Sequence, residues 1–320
     1  MVDKGVRLIA PASALLVALA APAVARAATF EKGPYLQGLG PTHVTVKFEL
    51  DADAPASVSV VDRATHKAIT AEDKDARRFH ALRVTGLAPA TAYDYTVTAG
   101  DAKSELGRFT TAPVDARPFR FIVYGDSRSD EAAHRAIVRA ILERNADFLL
   151  NTGDLVYRGS DPEEWSRFFR AEEPLLRDRC AFVCVGNHEL VGGRDGEVAF
   201  LKYFAPDEGD DATGPHHLHG TFRWGNTRFF LLNAMDQWGD AEKGWLADAL
   251  GSAASEAGVA HRIAVLHHGP FSSGPHHGNP RLGTVVRMLR EGHVELVLAG
   301  HDHIYERGEG AGLKYVISGG

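Results

Sequence analysis

Five short polar clusters between residues 125 and 303 carry residue types that do chemistry. In order they are Gly125-Asp126-Ser127-Arg128, Gly153-Asp154-Leu155-Val156-Tyr157, Gly186-Asn187-His188-Glu189, His267-His268-Gly269-Pro270 and Gly300-His301-Asp302-His303. Together they offer aspartates, an asparagine, a tyrosine and several imidazoles. Such an oxygen-plus-imidazole set suits first-row metal ions, and two cysteines are too few for iron–sulfur chemistry. Any one cluster alone reads as a turn, a helix cap or a polar loop. The ordered set of five is what points to one site. The histidines agree, since 12 of the 16 lie after residue 185.

Each cluster directly follows an apolar run of strand length, at residues 119–124, 147–151, 181–185, 262–266 and 295–299. Helical patterns at 130–144, 162–170, 241–250 and 281–291 alternate with these runs. The alternation predicts an α/β domain of stacked layers, in which the carboxyl ends of the strands bring side chains from separate loops together on a rigid support. A hairpin is expected at 221–224 and 227–232 about Gly225-Asn226. Residues 30–112 have another rhythm. Runs such as 43–50 and 57–61 alternate apolar and polar residues between Asp, Ala, Pro and Gly turns, which predicts a small all-β domain. Thr110-Thr111-Ala112-Pro113 with Pro118 reads as the linker.

A chain of 320 residues suits about two domains. With 44% hydrophobic and 24% charged residues it is neither a membrane bundle nor a disordered chain. A net charge of −7 argues against a scaffold that holds nucleic acid through a basic face. Residues 1–27 run from Lys4 and Arg7 through an apolar stretch at 8–21 to the small-residue box Ala25-Arg26-Ala27, a secretory signal with cleavage expected after Ala27. The protein is therefore expected to be periplasmic or secreted, with no membrane span in the mature chain. Cys180 and Cys184 would lie ~13 Å apart along a strand, too far for a bridge, and read as core thiols. The chain stops just after a strand-like run at 313–317, which reads as a C-terminal truncation. Its oligomeric state is not legible.

The ordered clusters, above all Gly186-Asn187-His188-Glu189 and Gly300-His301-Asp302-His303-Ile304-Tyr305-Glu306-Arg307, resemble the calcineurin-like metallophosphoesterases, and within them the purple acid phosphatases with an N-terminal fibronectin type III-like domain. Leu87-Ala88-Pro89-Ala90-Thr91-Ala92-Tyr93 resembles the tyrosine corner of such domains, with Tyr93 read first as a core residue. The resemblance implies a layered αββα sandwich over residues 118–320, preceded by a fibronectin III-like β-sandwich over 28–113. The broad family carries a histidine ligand two residues after the first aspartate, where this chain has Arg128. Tyr157, three residues after Asp154, stands where purple acid phosphatases carry a tyrosinate.

The implied ligand sets are Asp126, Asp154, Tyr157 and His303 for a first metal, and Asp154, Asn187, His267 and His301 for a second, with Asp154 bridging. Fe(III) would fill the first position and Zn, Mn or Fe(II) the second. The implied reaction is hydrolysis of phosphate monoesters by in-line attack of a metal-bound hydroxide on a small phosphoester substrate. His188 would contact the phosphate or act as general acid, for which an imidazole pKa of ~6.5 is suited, with Glu189 orienting it. His276 and His277 would contact the phosphate. Arg128 either does the same or pairs with Asp126 or Asp154. The alternatives are a phosphodiesterase for nucleotides or phospholipid headgroups and, in another class, a non-catalytic surface binding protein. His216, His217 and His219 are expected on a surface loop.

Overall fold

The computed structural model describes residues 1–2, 28–204, 218–235 and 238–320. Almost all of the expected signal segment, together with His216 and His217, lies outside the described residues. Among the described residues no helix is long and apolar enough to cross a membrane.

The N-terminal region is built from six antiparallel strands: β1 Phe30–Gln37, β2 His43–Asp62, β3 Ala68–Thr85, β4 Ala92–Ala99, β5 Ala102–Lys103 and β6 Gly107–Thr110. The two short runs expected at 43–50 and 57–61 are one strand. The β2–β3 ladder shifts register between Glu49 and Ala56, and this irregularity lets a long strand bend through Asp51-Ala52-Asp53-Ala54-Pro55 without ending. Tyr93 is buried, as a core residue should be. Its hydroxyl also accepts the Ala88 N–H at 2.8 Å, so it ties a corner as well.

After an irregular stretch at 111–120, strands and helices alternate: β7 Phe121–Tyr124, α1 Glu131–Leu142, β8 Phe148–Asn151, α2 Pro162–Leu176, β9 Ala181–Val183, α3 Arg194–Tyr203, β10 Gly220–Trp224, β11 Thr227–Leu232, α4 Asp240–Ser255, β12 His261–His268, α5 Gly283–Glu291, β13 Leu296–Gly300, β14 Tyr305–Gly310 and β15 Leu313–Ser318. Asp130 and Asp161 start α1 and α2 by accepting the first free N–H groups, as N-cap residues do. The hairpin forms as expected, with Trp224 opposite Thr227. Helix α3, which buries Gly196, Phe200 and Tyr203, has no counterpart among the expected helices.

Strands β7, β8 and β9 make one parallel sheet, and the order β10-β11-β12-β13-β15-β14 makes a second. Period-two alternation sorts their side chains. Phe148, Leu150, Phe229, Leu231, Val265 and Leu298 fill the space between the sheets. Leu149 and Val183 face α1, α2 and α3 on one outer side. Phe230, Leu232, Ala264 and Val297 face α4 and α5 on the other. This is the expected αββα layering. Cys180 and Cys184 are buried free thiols within it, and burial pushes the Cys184 thiol up to about 12.

The N-terminal sheet is joined to this body through polar ties from β1, β2 and β4. Gln37 Nε2 donates to Ala181 O at 3.0 Å and Tyr95 Oη to Arg177 O at 2.8 Å. Glu49 accepts from Lys32 Nζ (2.8 Å), Lys202 Nζ (2.7 Å) and Tyr203 Oη (2.9 Å), which links β1 and β2 to α3. Burial opposes ionisation of Glu49, but the two ammonium groups outweigh it and hold the carboxyl below its ordinary value. Glu49→Gln leaves buried Lys32 without its charge partner and should lower stability by ~2 kcal/mol near pH 7. Because the folded carboxyl titrates below the unfolded one, the wild-type advantage is complete above the unfolded pKa and fades as pH falls through the folded one. Urea midpoints of the two proteins should therefore converge in acid. A gap that stayed constant would contradict this account.

Candidate metal centre

The five loops meet where β7, β8, β9, β12 and β13 end. Asp126, Asp154 and His301 adopt left-handed backbone conformations, with φ of 56°, 57° and 69°. For residues other than glycine such a turn costs about 1 kcal/mol or more. The glycine that precedes a ligand position is there for close approach. A Cβ on Gly186 would lie 2.3 Å from Asp154 Oδ1, and one on Gly300 would lie 2.5 Å from Asp126 Oδ2.

Asp154 stands in the middle. Its Oδ1 accepts the His188 N–H at 3.0 Å and lies 3.3 Å from His267 Nε2. Its Oδ2 lies 3.1 Å from Arg128 Nη1 and 4.0 Å from His188 Nε2. On one side, Asp126 Oδ2 accepts the His301 N–H at 3.0 Å, while its Oδ1 lies 3.5 Å from His303 Nε2. On the other, Asn187 Oδ1 lies 3.1 Å from His267 Nε2 and 3.2 Å from His268 Nε2. The His301 ring is 3.8 Å from that of His268, and the His276 ring is 4.5 Å from that of His301. His267 Nδ1 donates to Thr152 O at 2.9 Å, which turns Nε2 toward Asp154 and Asn187.

This donor set fits multivalent cations. Ligand atoms of Asp126, Asp154 and His267 lie within 4.8 Å of one another, as do those of His267, His268 and His301. Asp126 Oδ1 and Asp154 Oδ2 are buried and find no hydrogen-bond donor, a costly state for an anion unless a cation neutralises it. Burial opposes ionisation of both carboxyls. It prevails at Asp126, which is raised, and is outweighed at Asp154 by the bond to His267. Burial and the neighbouring His267 bring His268 down to about 3 and His301 to about 4. These imidazoles are thus neutral, as metal ligands must be.

Asp126, Asp154, Asn187, His188, His267, His301, His303, Arg128 and His276 all come together here. Tyr157 lies on the Asp154 loop, is 56% exposed as a residue, and has its ring 5.1 Å from the His188 ring. His277 is exposed in a left-handed conformation (φ 57°), its N–H bonded to Gly274 O at 3.0 Å. His219, expected on a surface loop, is buried, accepts the Asn233 N–H at 3.1 Å and packs on Trp238 and Trp245.

Glu189 does not orient His188. Its carboxylate turns inward and accepts the N–H groups of Asp154, Leu155 and Gly186 at 2.8 Å each and of Val156 at 3.3 Å. His188 is instead oriented by Tyr157 O, which accepts from its Nδ1 at 2.7 Å. Nor did the sequence give His268 a role. Neighbours in a strand point to opposite faces, but the β12–β13 register shifts between Leu266 and His268, so His267 and His268 both reach the site. Asp302 was also missed. It accepts the His276 N–H at 2.9 Å and the Ser272 hydroxyl, while Glu306 accepts Ser273 N and Oγ at 2.9 and 2.8 Å, fastening the loop that carries His276.

The sequence profile of the calcineurin-like phosphoesterase family matches residues 119–305. An uncharacterised protein of Mycobacterium tuberculosis is 26% identical over 286 residues, covering 78% of this chain and 54% of the relative. Purple acid phosphatase 23 of Arabidopsis thaliana is 26% identical over 267 residues, covering 71% and 57%. Among solved structures, the purple acid phosphatase from yellow lupin (Lupinus luteus) seeds has a TM-score of 0.74 at 16% identity, over 89% of this chain and 63% of that one. A structure of PhoD has a TM-score of 0.65 at 12% identity, over 88% and 75%. Both likenesses are of fold. The chain spans about half the length of the curated relatives it matches.

Glu189→Gln replaces an acceptor oxygen with an NH2 group facing backbone donors. It should cost ~2–3 kcal/mol of stability and weaken metal binding roughly tenfold or more. Denaturant midpoints and metal titration check both. A variant with unchanged metal affinity would show that the Asp154 loop holds its shape without this grip.

Proposed function

This chain belongs to the calcineurin-like phosphoesterase family, and we propose that it is an exported, metal-dependent phosphatase that hydrolyses phosphate monoesters. What carries this reading is the meeting of Asp126, Asp154, Asn187, His267, His268, His301 and His303 at strand ends, around two buried carboxylate oxygens that have no hydrogen-bond donor. In this reading Asp126, Asp154 and His303, with Tyr157, would hold a first ion. Asp154, Asn187, His267, His268 and His301 would hold a second. Fe(III) with zinc, manganese or Fe(II) suits these donors. Such ions, when bound, supply a nucleophile near neutral pH and neutralise charge on the phosphate.

The chain's own residues bind and orient the ester. His188 uses Nδ1 on Tyr157 O, so Nε2 is its working nitrogen, 4.0 Å from Asp154 Oδ2. There it contacts a phosphate oxygen or gives its proton to the leaving alkoxide. His276 adds a second imidazole beside His301. A dianionic monoester gains more from such donors than a diester, which carries one charge and a second arm. Export is supported by the pattern of residues 1–27, and a fibronectin III-like first domain by its six antiparallel strands and the Tyr93 corner.

Protein released from the cell with Ala28 as its first residue should hydrolyse p-nitrophenyl phosphate with a higher kcat/KM than bis-p-nitrophenyl phosphate. A diester preference would overturn the monoester reading. Asp154→Ala should remove bound metal and hydrolysis together, and activity that survived it would sink the metal-dependent mechanism. His188→Ala should lower kcat by ~10²–10⁴-fold for alkyl phosphates and by less for p-nitrophenyl phosphate, whose leaving oxygen needs little protonation. Equal losses on both would make His188 a phosphate contact only. A visible band that vanishes in Tyr157→Phe would mark Fe(III) held by a tyrosinate. Colourless, active protein holding zinc or manganese would remove Tyr157 from the ligands.

A further inference from the structure

Arg128 lies among the donor atoms themselves. Its side chain is only 14% exposed. Nη1 is 3.1 Å from Asp154 Oδ2, 3.6 Å from Asp126 Oδ1 and 3.1 Å from His303 Nε2. Asp126, Asp154 and His303 are the residues assigned to the first ion, and one guanidinium nitrogen stands between all three.

The manner of contact matters as much as the distance. Arginine usually meets a carboxylate through two parallel N–H bonds. Here neither Asp126 Oδ1 nor Asp154 Oδ2 receives a hydrogen bond, and Arg128 Nε is itself buried without a partner. The carboxylates hold the side chain by charge, and its one directed bond among these groups runs from Nη1 to His303 Nε2. It neutralises part of the carboxylate pair, and the bond that holds it there goes to an imidazole assigned to the same ion. An ion coordinated by the same oxygens and imidazole at ~2.0–2.2 Å would press against a like charge. The two cations exclude one another.

We infer that Arg128 is the resident cation of the first metal position and that an ion enters there only by displacing it. The histidine-rich position, built from Asn187, His267, His268 and His301 with Asp154 Oδ1, has no arginine or lysine placed among its donors within the described residues. It therefore fills first and more tightly. Loading of the first position is the weaker step, set by competition with a tethered side chain. This rests on the metal-centre reading above and adds an order and an inequality to it.

The test is titration of metal-free protein with Mn(II), read by elemental analysis, calorimetry and electron paramagnetic resonance. Wild type should load in two unequal steps. Arg128→Gln, which keeps much of the side chain but not the charge, should tighten only the weaker step, by roughly tenfold to a hundredfold. Wild type that takes one ion at every concentration, with Arg128→Gln taking two, is the limiting form of the same result. Two equal steps in wild type, or an unchanged weak step in the variant, would overturn the inference. No binding in either protein would instead remove the metal centre itself, and the inference with it. Without metal, Arg128→Gln should melt below wild type and gain more on adding Mn(II), since Asp126 and Asp154 then lack their resident cation. Equal melting temperatures without metal would also overturn it. Should Arg128→Gln fail to fold, Arg128→Lys keeps a cation with a compact head that forms no planar fork. It should keep two unequal steps, and equal steps there would count against displacement.

Discussion

Two neighbouring carboxylates buried with too little positive charge are the constraint on which the rest of this structure depends. Asp126 and Asp154 each keep an oxygen that is out of water and without a donor. Like charges at such range are expensive where water cannot screen them. Every group that reaches them answers that problem: His267 and His188 at Asp154, His303 and the His301 N–H at Asp126, and Arg128 at both. The same unmet demand for positive charge makes the place suitable for metal ions and, through them, for phosphate. In a protein with a net charge of −7 the site thus adds a local demand for cations to a diffuse negative charge.

Holding the two carboxylates there requires loops that do not relax. Much of the support comes from below the site. Glu189 gathers four backbone N–H groups, three of them from the Asp154 loop, and Thr152 O fixes the tautomer of His267. Under β7, the Tyr124 hydroxyl donates to Glu172 at 3.0 Å while His134 pairs with the same carboxylate at 2.7 Å. That cluster locks α1 and α2 against the strand that runs directly into Gly125 and Asp126. Such fully partnered buried groups give rigidity where apolar packing alone would allow the strand ends to slide. The left-handed turns at Asp126, Asp154 and His301 persist because these surroundings over-determine them.

Much of this was legible from residue order. Apolar runs of strand length followed by polar clusters pointed to the parallel strands and to the loops that carry the site, because a period of two or 3.6 in hydrophobicity follows directly from which face is buried. Gly225-Asn226 specified its hairpin for a similarly local reason. The misreadings share one cause. The union of 43–50 and 57–61 into β2, the burial of His219 against two tryptophans and the inward turn of Glu189 all depend on partners distant in sequence. No local pattern names such partners.

By itself, the sequence determined the residue types at the site, the Gly-x spacing that lets backbones approach closely, and the layered order of strands and helices. Only the tertiary structure decided which atoms share a neighbour. It turned adjacent His267 and His268 to the same site through a register shift, moved Glu189 from His188 to the Asp154 loop, and set one nitrogen of Arg128 among Asp126, Asp154 and His303. The reason is physical: periodicity records which side of an element meets the core, whereas an electrostatic site is made by distances of about 3–4 Å between groups far apart in the chain, and those exist only once the layers have packed.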